Sequence, residues 1–279
     1  MDKIQGKITK IQNIILNIIL IMLAVVFAVP LYLAAVNVFK PTPEISAHPI
    51  ALPNPPILEN IISVFNNPNV DLYQMYFNSI CITLFGASIC MLISSMAAYY
   101  LVHAKNKAGN FLYIYFLFGL MVPYAIVYVP LVMMFNKFGI PGNLLTLIIV
   151  FISGSISFSV FLYYGFIGGI PRELEEAAIV DGAGQSVIFF RIIMPLVKPC
   201  STTVAIFIGL SMWNDFLTPL LIGQVKTITV GIYTAIGPHA SNWGEVFTYV
   251  MFATLPVIIL YLFAQKQFIS GLTSGAVKG

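Results

Sequence analysis

Charge is what this sequence has least of. Asp, Glu, Lys and Arg make up 8% of its 279 residues, while 59% are apolar; ordinary soluble domains carry about 25% charged residues. That scarcity excludes an ordinary soluble domain. Cysteine is nearly as rare, with three in all. Cys81 and Cys90 stand nine positions apart on one expected helix and so point to opposite faces, and Cys200 lies far from both. They form no disulfide or metal framework and read as small packing residues. No G-x-x-x-x-G-K-[ST] phosphate loop occurs, so the chain does not hydrolyse ATP by that route. No nucleophile–base pair or metal-ligand cluster stands out, and no cofactor is called for. The formal net charge of +3 comes without like-charge blocks or aromatic-basic interleaving, which speaks against a nucleic-acid partner.

What is present is a series of long apolar runs. Hydrocarbon offers no water to stray backbone amides, so runs beyond about 18 residues must be helices. Six are expected, near Ile14–Phe39, Tyr76–Leu101, Phe111–Phe135, Leu144–Phe166, Pro199–Ile222 and Val246–Phe268. The fold class is therefore all-α, a polytopic membrane protein. The first run is too long for a signal-peptide core of about 7–15 residues and is expected to be retained. Basic residues set the orientation. With the N-terminus inside, the inner segments hold Lys3, Lys7, Lys10, Lys105, Lys107, Arg172, Arg191, Lys198, Lys266 and Lys278; the outer ones hold Lys40, Lys137 and Lys226. Both termini are thus expected in the cytoplasm. The organisation reads as a first helix with an outer strap (1–70), a transmembrane domain (71–268) with a cytoplasmic loop at 168–198, and a cytoplasmic tail (269–279).

The outer segment from Lys40 to Tyr73 is broken by seven prolines and reads as an extended, turn-rich strap. Its amphipathic stretch Ile57–Phe65 fits the outer interface; the strap is either a lid over the helix ends or a docking surface. The second outer loop of note, Gly223 to Glu245, carries His239, a surface-turn residue or a ligand and pH sensor, and Trp243 at headgroup level. His103 reads as a solvated residue at an inner helix end. Asp215 is the one acid well inside an expected span. An intramembrane carboxylate points to a functional site, because exposing it to hydrocarbon costs about 2.5–3.5 kcal/mol. Asn214 and Asp215 either face a translocation pathway or cap or bond neighbouring helices near the outer mouth.

One island interrupts the apolar sequence. From Pro171 to Pro195 it gathers Arg172, Glu173, Glu175, Glu176, Asp181 and Arg191. Pro171 suits the first position of a short helix over Arg172–Asp181, and the glutamates favour the positive end of its dipole. Leu174, Ala177 and Ala178 give a narrow apolar edge, and Gly182 and Gly184 break the helix. A second helical piece, Gln185–Ile193, is expected to stop at Pro195. About ten residues cannot span a bilayer, so the first piece lies along the cytoplasmic surface, shaped as a peg for a socket.

The island's spacing, Glu176-Ala177-Ala178, three residues, Gly182, nine residues, then Ile192-Ile193-Met194-Pro195, resembles the permease subunits of ATP-binding-cassette (ABC) importers. Met194 stands where that pattern usually has Leu. Trp213-Asn214-Asp215-Phe216-Leu217 and the tail Gly271–Gly279 are similar to the six-helix permease of maltose-type carbohydrate systems. The resemblance implies a type I ABC importer permease fold. It implies as partners a second permease, two ABC ATPase subunits and an external sugar-binding protein, with lipid around the bundle. Glu176, Ala177, Ala178 and Gly182 would dock on an ATPase, and Gly275, Ala276, Val277 and Lys278 would reach between the ATPases. The turn holding Gly237, Pro238, His239 and Asn242 would touch the binding protein. An ion-coupled carrier is the rival, but it wants ionisable groups near the midplane on repeated halves, and no repeat is visible. A non-transporting membrane scaffold would leave the island's spacing unexplained.

Overall fold

A computed structural model describes residues 2–67, 71–104, 106–223, 225–236 and 242–276, with backbone alone at 2–11, 264 and 266–276. Every regular element among the described residues is helical. In chain order these are α1 (Asp2–Asn37), α2 (Thr42–Ala47), α3 (Glu59–Asn66), α4 (Leu72–His103) and α5 (Lys107–Met121). Then come α6 (Tyr124–Phe138), α7 (Leu144–Ile167), α8 (Glu173–Val180) and α9 (Gln185–Ile188). A π-helical turn (Phe189–Ile193) leads to α10 (Met194–Leu196), α11 (Lys198–Asn214), α12 (Leu217–Ile222), α13 (Ile228–Ala235) and α14 (Trp243–Ala276). The chain forms two compact units: Met1–Asp71 with Ile232–Thr254, and Leu72–Gly231 with Leu255–Gly279.

In the first unit α1 turns its apolar surface outward. Over Gln12–Asn37 its mean hydropathy is 3.0, and every side chain from Gln12 to Tyr32 is exposed, as lipid contact requires. The strap behind it is folded. Lys40 is wholly buried, its Nζ donating to the carbonyls of His48 at 3.0 Å and Pro49 at 3.3 Å. The Asn60 amide donates to the carbonyls of Val38 and Lys40, both at 2.8 Å. The expected amphipathic stretch forms α3, with Asn60 and Val64 inward and Ile62 and Phe65 outward. The start of α14 closes the unit, through Ser63 to Glu245 at 2.5 Å and an edge-on Phe65–Phe252 pair at 5.6 Å.

The second unit is built on α4, α7 and α11. Small side chains let these helices approach closely in the absence of a hydrophobic driving force between them. Cys90, Ser94 and Ala98 of α4 and Ser159 of α7 are all fully buried, and a Cβ on Gly86 would sit 2.9 Å from the Met212 sulfur. The Tyr163 hydroxyl, deep in this core, donates to Ser201 Oγ at 2.9 Å.

Among the described residues four helices are long and apolar enough to cross a bilayer unaided: α1, α4, α7 and Trp243–Phe263 of α14. The other two expected spans are broken. The third is two 15-residue helices, α5 and α6, meeting at 99°. Pro123 is the cause: its ring disfavours helical backbone at the preceding residue, and Val122 is extended at φ −82°, ψ 113°. The fifth ends at Asn214, where Asp215 turns extended before α12. Counting the bent pairs α5–α6 and Gln185–Leu196 with α11 (74°) gives up to six spans.

Candidate functional site: the charged island and its anchor

The island folds as expected in outline and differs in register. Helix α8 starts at Glu173, with Arg172 at its N-cap position and Pro171 one residue further out. The carbonyl of Arg172 takes up the amides of Glu175 and Glu176 at 2.9 and 3.0 Å. At the other end Gly182 lies at φ +84°. Its amide bonds the Ile179 carbonyl at 3.0 Å, and the Ala183 amide bonds that of Ala178 at 2.9 Å. This pair of bonds around a left-handed glycine is a Schellman cap. It reverses the chain within two residues and delivers it to α9.

The helix has two faces of opposite character. Glu175 and Ala178 are buried against the bundle. Glu173, Glu176, Ala177 and Val180 point outward, at i, i+3, i+4 and i+7, and Val180 is 86% exposed. The expected apolar edge of Leu174, Ala177 and Ala178 is therefore split, since Ala178 packs into the protein's own core beside Ala183. Eight residues at 100° per step allow only one face to be buried, and Glu175 has taken it.

A buried carboxylate needs partners, and α4 supplies them. The Tyr99 hydroxyl donates to Glu175 Oε2 at 2.8 Å, and His103 Nε2 lies 3.1 Å from the same oxygen. His103 is exposed at the inner helix end, as expected, and in addition touches Glu175. Phe189 packs on Tyr99 with ring centroids 5.5 Å apart. Tyr99 did not stand out in the sequence, and Glu175 did so only as one of the island's charges, not as its buried one. The available signal was spacing: Glu175 and Ala178 are three apart, which puts an acid on the face that Ala178 buries.

Beyond α8 the second helical piece continues through Pro195 to Leu196, where the sequence predicted a stop. The π turn at Phe189–Ile193 accounts for this. In a regular helix the proline ring meets the carbonyl four residues earlier; bonding five residues apart, as from Met194 to Phe189, widens the turn just before Pro195. The chain then bends by 74° into α11.

The remaining expected residues are dispersed. Asp215 is not inside a continuous helix. Its Oδ1 accepts from the Thr218 amide at 3.0 Å and Oδ2 from Thr218 Oγ1 at 2.8 Å, so it ties down the first turn of α12 from the residue before the N-cap position, Phe216. The Tyr128 hydroxyl approaches it at 3.4 Å. Asn214 is exposed and donates to the Leu210 carbonyl at 2.9 Å. Asn242 bonds Thr42 at 3.0 Å. Gly237, Pro238, His239, Val277 and Lys278 lie outside the described residues, while Gly275 and Ala276 end the backbone of α14. A groove between α4, α11 and α14 carries only Thr83, Ser88 and the Trp213 indole as polar side chains. No group of His, Cys, Asp and Glu able to hold a metal occurs among the described residues.

A helical bundle with apolar spans and a short charged helix anchored at one end defines a multi-pass membrane protein. Residues 90–274 match the family described as binding-protein-dependent transport system inner membrane component, and the chain belongs to that family. It is a transport permease subunit and not an enzyme. It is 33% identical over 274 residues, 96% of this chain and 98% of the other, to a probable starch degradation products transport system permease protein, AmyC, of Thermoanaerobacterium thermosulfurigenes. It is also 33% identical to the multiple sugar-binding transport system permease protein MsmG of Streptococcus mutans, over 91% of this chain and 93% of that one. A bacterial ABC transporter involved in import of the acidic polysaccharide alginate has a chain with the same fold. Its TM-score is 0.79 at 20% identity, covering 92% of this chain and 96% of that one. The expected type I ABC importer permease fold is therefore the fold observed.

Proposed function

We propose that this chain is one permease of an ATP-driven importer that moves a sugar, of the di- or oligosaccharide class, by alternating access. Helix α8 is its coupling element. The observation that carries the reading is the outward stripe of Glu173, Glu176, Ala177 and Val180 on a helix rigidly capped at Gly182. The small side chain of Ala177 lets another protein's backbone approach closely, and the exposed acids give it charges to read. Family membership supports the partners: a second permease, two ATPase subunits that hydrolyse ATP, and an external binding protein. The names of the relatives support a sugar as cargo. Both termini face the cytoplasm in this reading, with the tail at Gly275–Lys278 between the ATPases. The turn at Gly237–Asn242 meets the binding protein, and Asn214 and Asp215 border the pathway.

A cysteine at Ala177 with a short crosslinker tests the coupling role in intact cells. Capture of an ATPase subunit is expected; a fully expressed, transport-competent A177C that never captures one overturns it. Ligand screening of the co-purified binding protein then identifies the sugar.

A further inference from the structure

Helix α8 is held to α4 by a contact that needs a proton. His103 Nδ1 lies 2.7 Å from the Tyr99 carbonyl, and a carbonyl only accepts, so Nδ1 carries hydrogen. The other ring nitrogen, Nε2, faces Glu175 Oε2 at 3.1 Å. In a neutral imidazole with hydrogen on Nδ1, Nε2 is an acceptor, and an ionised carboxylate is an acceptor too. One proton must therefore lie between them, on the ring as imidazolium or on the carboxyl. When it leaves, two lone pairs face each other and the contact fails.

We propose that His103 and Glu175, with Tyr99, form a proton-held latch that positions α8 on the end of α4. Because the contact needs that shared proton, the supply of protons on that side of the membrane sets how firmly the helix is carried. Among the described residues the surroundings contain no substitute for the proton. Tyr99 on the same helix is already committed to Oε2. From the π turn, Phe189 offers the cluster only an aromatic ring. Arg172 at the N-cap of α8, Arg191 on the π turn and Lys107 opening α5 make no ion pair with Glu175, and exposed Glu173 and Glu176 make none with His103. Lys105 lies outside the described residues. Tyr99 and His103 are positioning residues, acting on the coupling helix through Glu175. The consequence for transport rests on the function proposed above; the latch itself does not.

Two substitutions remove the need for the proton while keeping the contact. Arg in H103R holds its charge from pH 6 to pH 8. In E175Q one amide hydrogen goes to a neutral Nε2 and the other to the Tyr99 hydroxyl oxygen, which turns from donor to acceptor. The full chain, with whatever ATPase partners co-purify, is placed in lipid nanodiscs, and amide exchange over 173–183 is followed from pH 6 to 8. Comparing variants at equal pH cancels the intrinsic pH dependence of exchange. Wild type should match H103R at pH 6 and exchange about five- to ten-fold faster at pH 8, the factor that one partly exposed charge-assisted hydrogen bond carries. E175Q should follow H103R at both. A wild-type to H103R ratio that stays constant across this range overturns the latch. In vesicles with ATPase and binding protein, the sugar moved per ATP hydrolysed should fall in wild type as the pH on the α8 side rises, and stay level in H103R. If exchange responds and this ratio does not, the latch stands and its role in coupling is refuted. An exchange response in a preparation that holds no ATPase supports the latch while counting against the coupling function.

Discussion

The backbone at Gly182 offers a test in which conformation and steric bulk are separable. Its φ of +84° lies in the left-handed region, and a Cβ built there would meet nothing within 4 Å. A substitution therefore strains the backbone without striking a neighbour. Left-handed backbone costs an ordinary L-residue about 1–2 kcal/mol; Asn tolerates it better and a β-branched residue worse. The two cap bonds, Gly182 to Ile179 and Ala183 to Ala178, close together, so the cost falls on both. About 1–2 kcal/mol is a factor of roughly 5–30 in the ratio of closed to frayed cap. Amide exchange at Gly182 and Ala183 should rise in the order wild type, G182N, G182A, G182V. Crosslinking of A177C to the ATPase should fall in that same order, because a frayed end no longer holds the outward stripe in register. Equal behaviour of G182A and G182V, or an order that follows side-chain volume with G182N worse than G182A, refutes the argument.

Three further outcomes are expected. D215A should lose both bonds to Thr218 and cost about 1–2 kcal/mol in thermal stability, whereas D215N keeps one acceptor and should lose less; transport abolished in a well-folded D215N would instead assign the carboxylate charge to the pathway. K40M leaves the carbonyls of His48 and Pro49 without the Nζ donor at a buried position, a loss of about 1–3 kcal/mol that should appear as faster proteolysis within residues 41–58 in membrane-embedded protein. G244A places a methyl group on the Asn60 side chain, which ties Val38 and Lys40, so the same proteolysis assay should show the same loosening.

The spans and the island were legible because each rests on a one-dimensional signal, an apolar run or a charge cluster. What the sequence did not disclose are places where tertiary contacts choose between local options. Pro130 lies inside α6 and Pro256 inside α14 without ending either, while Pro123 separates two helices at 99°. Proline alone does not say which will happen in an apolar run. Pro195 was expected to terminate and is accommodated by a π turn. Glu175 and Glu176 are neighbours of identical chemistry, yet one is buried on Tyr99 and His103 and the other faces out. Only the rotation of α8 about its axis distinguishes them, and Ala178 and Phe189 set that rotation by packing into the core.

Two kinds of anchor meet on α8, and they respond differently to force. On its inner face Ala178 joins a close-packed cluster with Phe189 and Ile193 from the π turn, Leu101 from α4 and Tyr163 from α7. Such packing barely compresses, so displacement of the helix is passed on rather than absorbed. Toward its N-terminal end the hold is polar: one carboxylate, one hydroxyl and one imidazole at about 3 Å. A polar contact of this kind breaks over a fraction of an ångström. In the coupling reading, a push on Glu176 and Ala177 therefore reaches α4 through both routes while the latch holds, and through the apolar route alone once it opens. The apolar route also leads through the π turn to the 74° bend at Val197, where a small rotation of the short segment swings the far end of α11. Loss of the proton would then bias which helix moves, α4 or α11, without detaching α8 from the bundle.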